Sequence, residues 1–434
     1  MVILDTALQK RHEEGNPIRV GLVGAGFMGR SVALQLINHM TGMHLVAIAN
    51  RTLSKAQNAL VDAGVNTMDT VEKVEQLEDS FAKGHYAITE DPLLFCQADC
   101  IDVIIEATSD VEFTAHLAMN AITHKKHMVM MNADLDATLG PILKVYADRA
   151  GVVLSGTDGD QPGSVMNLFR WVKTIGFNPV LLGNIKGMQD FYRTPDTQRE
   201  FAAKLGYSSR LATSFADGTK ISFENVLMAN ATGFGVGKRG MYGPKCQHVN
   251  EAKDLFPLEK VLSEGGGIVD YILGAEPGPG VFVLGYNEDP RRKPYMAYYK
   301  LGDGPLYVFY TPYHLASWEV PLTAARAVLF QDAAVTPIGG PVCEVVTLAK
   351  RDLKAGEMLD GIGGFTTYGT IENAQACRDE NLLLVGLSGG CRLKNDIKKD
   401  QAISHAEVER PEGRLIDKLW AEQNAYFHSS KNHS

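Results

Sequence analysis

Five short β-rich runs, "RVGLVG", "HLVAIAN", "IDVIIEAT", "KHMVMMN" and "GVVLSG", alternate with helical patterns between residue 18 and about residue 155. Four of them are nearly continuous apolar runs, as strands covered on both faces must be. Between them "PLLFCQ", "EFTAHLAMNAITHKK" and "ATLGPILKVYADRA" carry apolar residues at helical spacing. That order predicts a parallel sheet with crossover helices, and no other feature restricts the fold as tightly.

The rest of the chain must form further modules, because 434 residues exceed one ordinary core. At "GTDGDQPG" (residues 156–163) the alternation breaks. A region rich in Gly, Pro and Tyr follows, with strands predicted in "VLLGNIKGM" and "GVFVLGY" and a helix predicted to start after Pro321. Short strands return after "TPIGGP", and the tail "FHSSKNHS" reads as disordered. The expected domains are therefore 1–157, 158–335 and 336–434.

Composition removes several classes. A net charge of −9 leaves no basic footprint for nucleic acid. No run reaches the roughly 18 uncharged apolar residues of a membrane span, and "MVILDTALQKRHEEG" lacks the apolar centre of a signal peptide. A cytoplasmic protein is expected, with its six cysteines, including the "CQADC" pair Cys96 and Cys100, as free thiols.

The first run leads directly into Gly24-Ala25-Gly26-Phe27-Met28-Gly29, the pattern G-x-G-x-x-G at the start of a predicted helix. The first glycine permits a tight turn, the second lets the backbone approach a pyrophosphate, and the third packs helix on strand. The second strand ends on Asn50, Arg51 and Thr52, where an NAD site normally has Asp or Glu for the adenine ribose. A carboxylate there would repel a 2′-phosphate, whereas Arg51 offers a charge-assisted fork. NADPH is the expected cofactor. Thr108, in "EATSD", and Asn132 and Ala133, in "MMNADLD", follow later strands at the sheet's carboxyl edge and are expected beside the nicotinamide.

In "DGTKISFENVLMANATG" Lys220 and Glu224 stand four apart and share one face of a predicted helix. On pattern alone the pair reads as a surface ion pair worth about 0.3–0.5 kcal/mol. The glycine fingerprint, "VIIEATSD", "KHMVMMNADLDA", "GNIKG" and this helix, in that order, resemble the homoserine dehydrogenase family. That family has a Rossmann domain and a helix bearing a catalytic Asp and Lys four residues apart. Aligned on the shared ending, Lys220 falls on the family's Asp and Glu224 on its Lys, so the charges are exchanged. The family's glycine-rich substrate loop is replaced by acidic "GTDGDQPG", which points away from homoserine as substrate.

The run from "VVTLAKRDLKAGEMLDG" to "DIKKDQAI" is similar to the SAF module, a β-clip of short strands. Over essentially its whole length the chain resembles the deoxyxylulose-phosphate-reductoisomerase-like group. The resemblance implies a Rossmann parallel sheet, an α+β catalytic and dimerisation domain, an all-β SAF domain and a homodimer. It also implies NADPH-dependent conversion of 1-deoxy-D-xylulose 5-phosphate to 2-C-methyl-D-erythritol 4-phosphate, an early step in isoprenoid synthesis.

That chemistry polarises a ketone beside a hydroxyl, commonly through a divalent cation held by carboxylates. Asp158, Asp160 and Glu224 are the expected Mg²⁺ or Mn²⁺ ligands, against ordinary turn chemistry for the two aspartates. Lys186 and Lys220, with Glu224, are the expected catalytic groups. Arg193, Lys238 and Arg239 are candidates for a substrate phosphate, and His314, beside Tyr313, for a substrate contact or proton carrier. Two alternatives remain open: a homoserine-dehydrogenase-like reductase of another aldehyde, hydroxy-acid or polyol, and a non-catalytic nucleotide sensor.

Overall fold

The computed structural model describes residues 3–264 and 266–429. β1 (Ile18–Val23), β2 (Met43–Ala49), β3 (Met68–Thr70), β4 (Tyr86–Thr89), β5 (Val103–Glu106), β6 (His127–Met130) and β7 (Leu154–Gly156) form one sheet, ordered β3-β4-β2-β1-β5-β6-β7. Every neighbouring pair is parallel. The five runs that predicted this sheet are β1, β2, β5, β6 and β7. Their side chains are buried on both faces because crossover helices cover both. β3 escapes the apolar pattern because it is only partly buried, and β4 pairs beside it as the last strand but one on that side of the sheet.

A second, mixed sheet runs β11-β10-β8-β9, from β8 (Asn178–Lys186), β9 (Ile268–Leu273), β10 (Gly280–Tyr286) and β11 (Leu306–Thr311). The helices Gln161–Thr174 and Thr219–Thr232 pack with it, and Phe223 and Val226 of the latter share a core with Leu182, Val269 and Val283. Helix Ala316–Phe330 starts five residues before Pro321. Its first turn is held from outside, since Glu319 accepts a hydrogen bond from the Leu315 amide and Trp318 donates to Ser31 on the helix Phe27–His39. Proline near the beginning of a helix removes only one rung, so it need not mark the start.

The C-terminal region pairs β12 (Cys343–Ala349) with β13 (Thr367–Asn373) and β14 (Arg392–Leu393) with β15 (Val408–Glu409). It also contains helices Ala374–Asp379, Val385–Ser388 and Leu415–Ser429, so the all-β module expected from residue 336 is corrected to a mixed one. Its apolar residues do not close on themselves. Leu348, Leu384 and Leu419 join the core of the first sheet, and Val345 and Ile371 join that of the second. Of the tail expected to be disordered, Phe427, His428 and Ser429 end the last helix, and 430–434 lie outside the described residues. No described helix is long and apolar enough to cross a membrane.

Candidate active site

The glycine loop leaves the carboxyl end of β1 beside that of β5, where the strand order reverses and a ligand cleft opens. Gly24 adopts φ +105°, and a Cβ there would lie 2.6 Å from the Ala107 carbonyl. A Cβ on Gly29 would lie 2.0 Å from the Gly24 carbonyl, so helix and strand approach as a dinucleotide fold requires. Beside Gly26 the space is open and the following helix has no side-chain cap, so its first N–H groups are free for an anion. These residues fit a nicotinamide dinucleotide. Asn50 fastens the loop: its Oδ1 accepts from the Ala25 amide at 3.1 Å, and its Nδ2 donates to the Thr52 carbonyl at 2.8 Å. Arg51 beside it is exposed. Phe27 is 41% exposed, with its ring edge-on to Tyr207, and Met28 is half-buried.

The sheet edge beyond β5 and β6 is built on a buried carboxylate that sequence reasoning passed over. Glu106 ends β5 with Oε1 accepting from the Thr108 amide at 2.6 Å and from the Thr108 and Thr114 hydroxyls. Burial pushes its pKa up to about 7, against these hydrogen bonds, which favour the charged form. Asn132 caps the helix Ala133–Ala150 by accepting from the Asp134 and Leu135 amides, and it donates to Thr114. Thr108, Asn132 and Ala133 therefore follow two neighbouring strands along one edge of the sheet.

The next strand, β7, leads to the second half of the site. Asp160 caps the helix Gln161–Thr174 and faces Lys220, whose Nζ lies 3.5 Å from Oδ2. Lys186, at the end of β8, donates to Glu224 Oε2 at 2.8 Å. Lys220 and Glu224 thus share a helical face but pair across to other elements, not with each other. Beneath them Asn184 donates to Gln161 Oε1 and to Glu224 Oε2, and Asn225 donates to Asn184 Oδ1. All four of these polar side chains are buried, and the mutual bonds fix Glu224 in place. The sequence signal for Asn184 was an amide in an otherwise apolar strand, and it went unread. Burial lowers the Lys220 pKa, but Asp160, Glu224 and Asp134 together outweigh it and hold Lys220 above the ordinary lysine range. Burial likewise opposes ionisation of Asp160, yet Lys220, His314 and Lys186 keep it below the usual carboxylate range. His314 joins the site through a 3.2 Å contact of its Nδ1 with the Gly159 carbonyl, next to Asp160.

Other expected residues are not brought there. Asp158 is taken up by Arg326, Asn167 at 2.7 Å and Thr323 at 2.8 Å, which pins the loop after β7 to helix Ala316–Phe330. Arg239 is committed to Glu372 at 2.7 Å and Glu380 at 2.5 Å, so its fork is not open to a phosphate. Lys238 lies over the Tyr242 ring and Arg193 pairs with Asp190 at 3.0 Å. Among the described residues no group of three or more His, Cys, Asp or Glu side chains could hold a metal ion. Asp160 and Glu224 each face a lysine and Asp158 an arginine, so this donor set does not fit a divalent cation.

A dinucleotide-binding glycine loop together with a buried charged cluster suits an oxidoreductase using NAD(P), and the family comparisons agree. Residues 159–320 match the family described as oxidoreductase DRL, catalytic domain, and residues 24–153 match homoserine dehydrogenase, NAD binding domain. The chain is an NAD(P)-dependent oxidoreductase with successive regions similar to these two domains. Homoserine dehydrogenase of Bacillus subtilis (strain 168) is 30% identical over 135 residues, which cover 31% of this chain and 28% of that protein. The chain thus matches under a third of that relative's length. Among solved structures, a homoserine dehydrogenase from Thiobacillus denitrificans is 17% identical, covering 79% of this chain and 83% of that one with a TM-score of 0.45. A myo-inositol 2-dehydrogenase from Lactobacillus plantarum is 13% identical, covering 62% and 74%, with a TM-score of 0.35.

Proposed function

We propose that the chain is an NADPH-dependent reductoisomerase acting on a phosphorylated deoxyketose, 1-deoxy-D-xylulose 5-phosphate, and forming 2-C-methyl-D-erythritol 4-phosphate for isoprenoid synthesis. The observation that carries this reading is the cross-paired cluster of Asp160, Lys186, Lys220 and Glu224, whose Asp160 follows β7 on the sheet edge that also carries Thr108 and Asn132, within the region that matches a DRL catalytic domain. Bound NADPH supplies the hydride. Lys220 stays ionised and stabilises negative charge developing on a substrate oxygen. Lys186, oriented by Glu224, offers a second donor for the neighbouring oxygen of a hydroxyketone. The buried amides of Asn184, Gln161 and Asn225 hold this geometry before substrate arrives. A cytoplasmic homodimer belongs to the same proposal, with sedimentation as the test of the dimer.

Cofactor oxidation by the purified protein tests the reading, with deoxyxylulose phosphate or aspartate semialdehyde offered in turn. Turnover of the pentulose phosphate, persisting after chelation because no described carboxylate set fits a cation, is the expected result. Turnover of the semialdehyde alone would replace it with a homoserine-dehydrogenase-like reductase, which the match of residues 24–153 favours.

A further inference from the structure

Asp134 lies in the first turn of helix Ala133–Ala150, one residue beyond Ala133 on the nicotinamide side. Its amide is capped by Asn132, but its carboxylate accepts no hydrogen bond from a described residue. The residue is largely buried but not sealed from solvent, within electrostatic reach of Lys220, Asp160 and Glu224. Every other charged group of the cluster has an ion-pair partner: Asp160 faces Lys220 at 3.5 Å and Glu224 faces Lys186 at 2.8 Å. Among these charged groups of the described residues, Asp134 has neither an ion-pair partner nor a hydrogen bond to its oxygens, and it follows β6 on the sheet edge that also carries Thr108 and Asn132. Asp136, two residues on, packs instead against Gly140 and Gly156 and is buried.

We propose that Asp134 is the catalytic acid–base of this site, exchanging a proton with the substrate oxygen as hydride is transferred. The inference rests on the reading of the chain as a carbonyl reductase. In the reductive direction hydride bonds to the carbonyl carbon, the C=O π pair moves to oxygen, and the Asp134 carboxyl gives that oxygen its proton. Solvent then reprotonates Asp134. Lys220 cannot take this part, because the carboxylates around it hold its proton too firmly for release near neutrality. His314 faces Asp160, not Asp134. Burial, Asp160 and Glu224 push the Asp134 pKa up to about 6, with Lys220 opposing.

The sign of the pH dependence follows. Reduction needs protonated Asp134, so its rate falls as pH rises through about 6, while oxidation of the product by NADP⁺ rises through the same midpoint. In Asp134→Asn both limbs vanish and kcat drops about 100-fold, NADPH affinity stays within about twofold, and Asp134→Glu restores part of the rate. A limb that persists in a folded, NADPH-binding Asp134→Asn protein would overturn the assignment. Should the wild type turn over no pentulose phosphate, the failure lies with the functional reading, and Asp134 is then read directly. Isotope-edited infrared spectra should show a carboxylic acid titrating near pH 6, absent from Asp134→Asn and moved to higher pH in Lys220→Met. No such titration would likewise overturn it.

Discussion

Asn50 stands where an acidic residue would read a ribose hydroxyl, and it spends its amide on the glycine loop and on Thr52. At that position the site therefore presents an amide in place of a carboxylate, and the exposed Arg51 is the next residue. Arg51→Ala should weaken NADPH binding by about 1.5–3 kcal/mol, the range for hydrogen bonds to charged groups, and leave NADH nearly unchanged. Equal losses for the two cofactors in parallel fluorescence titrations would show that Arg51 does not read the phosphate. Glu106 gives a second residue-scale expectation. Its pKa is raised to about 7 in the folded protein, so its contribution to stability is full below the unfolded value of about 4.3 and is lost as pH rises through about 7. Glu106→Gln, which cannot ionise, should flatten that window of the stability curve, removing about 3 kcal/mol of pH dependence. Urea midpoints measured across the window should diverge between wild type and variant. Parallel curves would place the buried charge elsewhere.

At the scale of elements, the helix Thr219–Thr232 is positioned by the C-terminal region. Lys350, just past β12, is buried and donates to Asp217 at 2.9 Å, the Arg193 carbonyl at 2.7 Å and the Gly364 carbonyl at 2.8 Å. Asp217 in turn accepts from the Thr219 amide at the start of that helix. The three ammonium donors are thus all used, and the pair is satisfied despite burial. Lys350→Met should cost about 3–5 kcal/mol by leaving Asp217 buried and unpaired, and adding Asp217→Asn should recover part of that loss in thermal melts. A double variant no more stable than Lys350→Met would mean the pair is not the brace. Such links explain what could be read in advance. The parallel sheet was legible because β1, β2, β5, β6 and β7 carry their burial in local apolar runs. Lys220 and Glu224 were legible as one helical face, since that spacing is local too. Their true partners, Asp160 and Lys186, lie 60 and 38 residues away in sequence and depend on how β7 and β8 are placed by tertiary packing. Asp158 misled because its turn chemistry conceals Arg326, which lies on a helix 168 residues further along.

The whole molecule is closed by its last helix, and a proline shows how. Pro141 sits inside helix Ala133–Ala150, where it has no N–H to donate and its ring opens the preceding turn. Gln423, from helix Leu415–Ser429, enters at the next rung: its Oε1 accepts from the Ile142 amide and its Nε2 donates to the Thr138 carbonyl, both at 3.2 Å. Glu112 caps the same helix by accepting from the Leu415 and Ile416 amides at 2.7 and 3.0 Å. The helix that carries Asn132 and Asp134 at one end is therefore repaired in its middle by the far end of the chain. Gln423→Leu keeps much of the volume but leaves a buried N–H and a buried C=O unpaired, at about 1–3 kcal/mol for each. If the last helix were an independent module, that variant would split off a low-temperature step in calorimetry and leave the NADPH-sensitive transition where it was. Because its residues share a core with the first sheet, the NADPH-sensitive transition itself should move down, and saturating NADPH should raise it again by the increment seen in wild type.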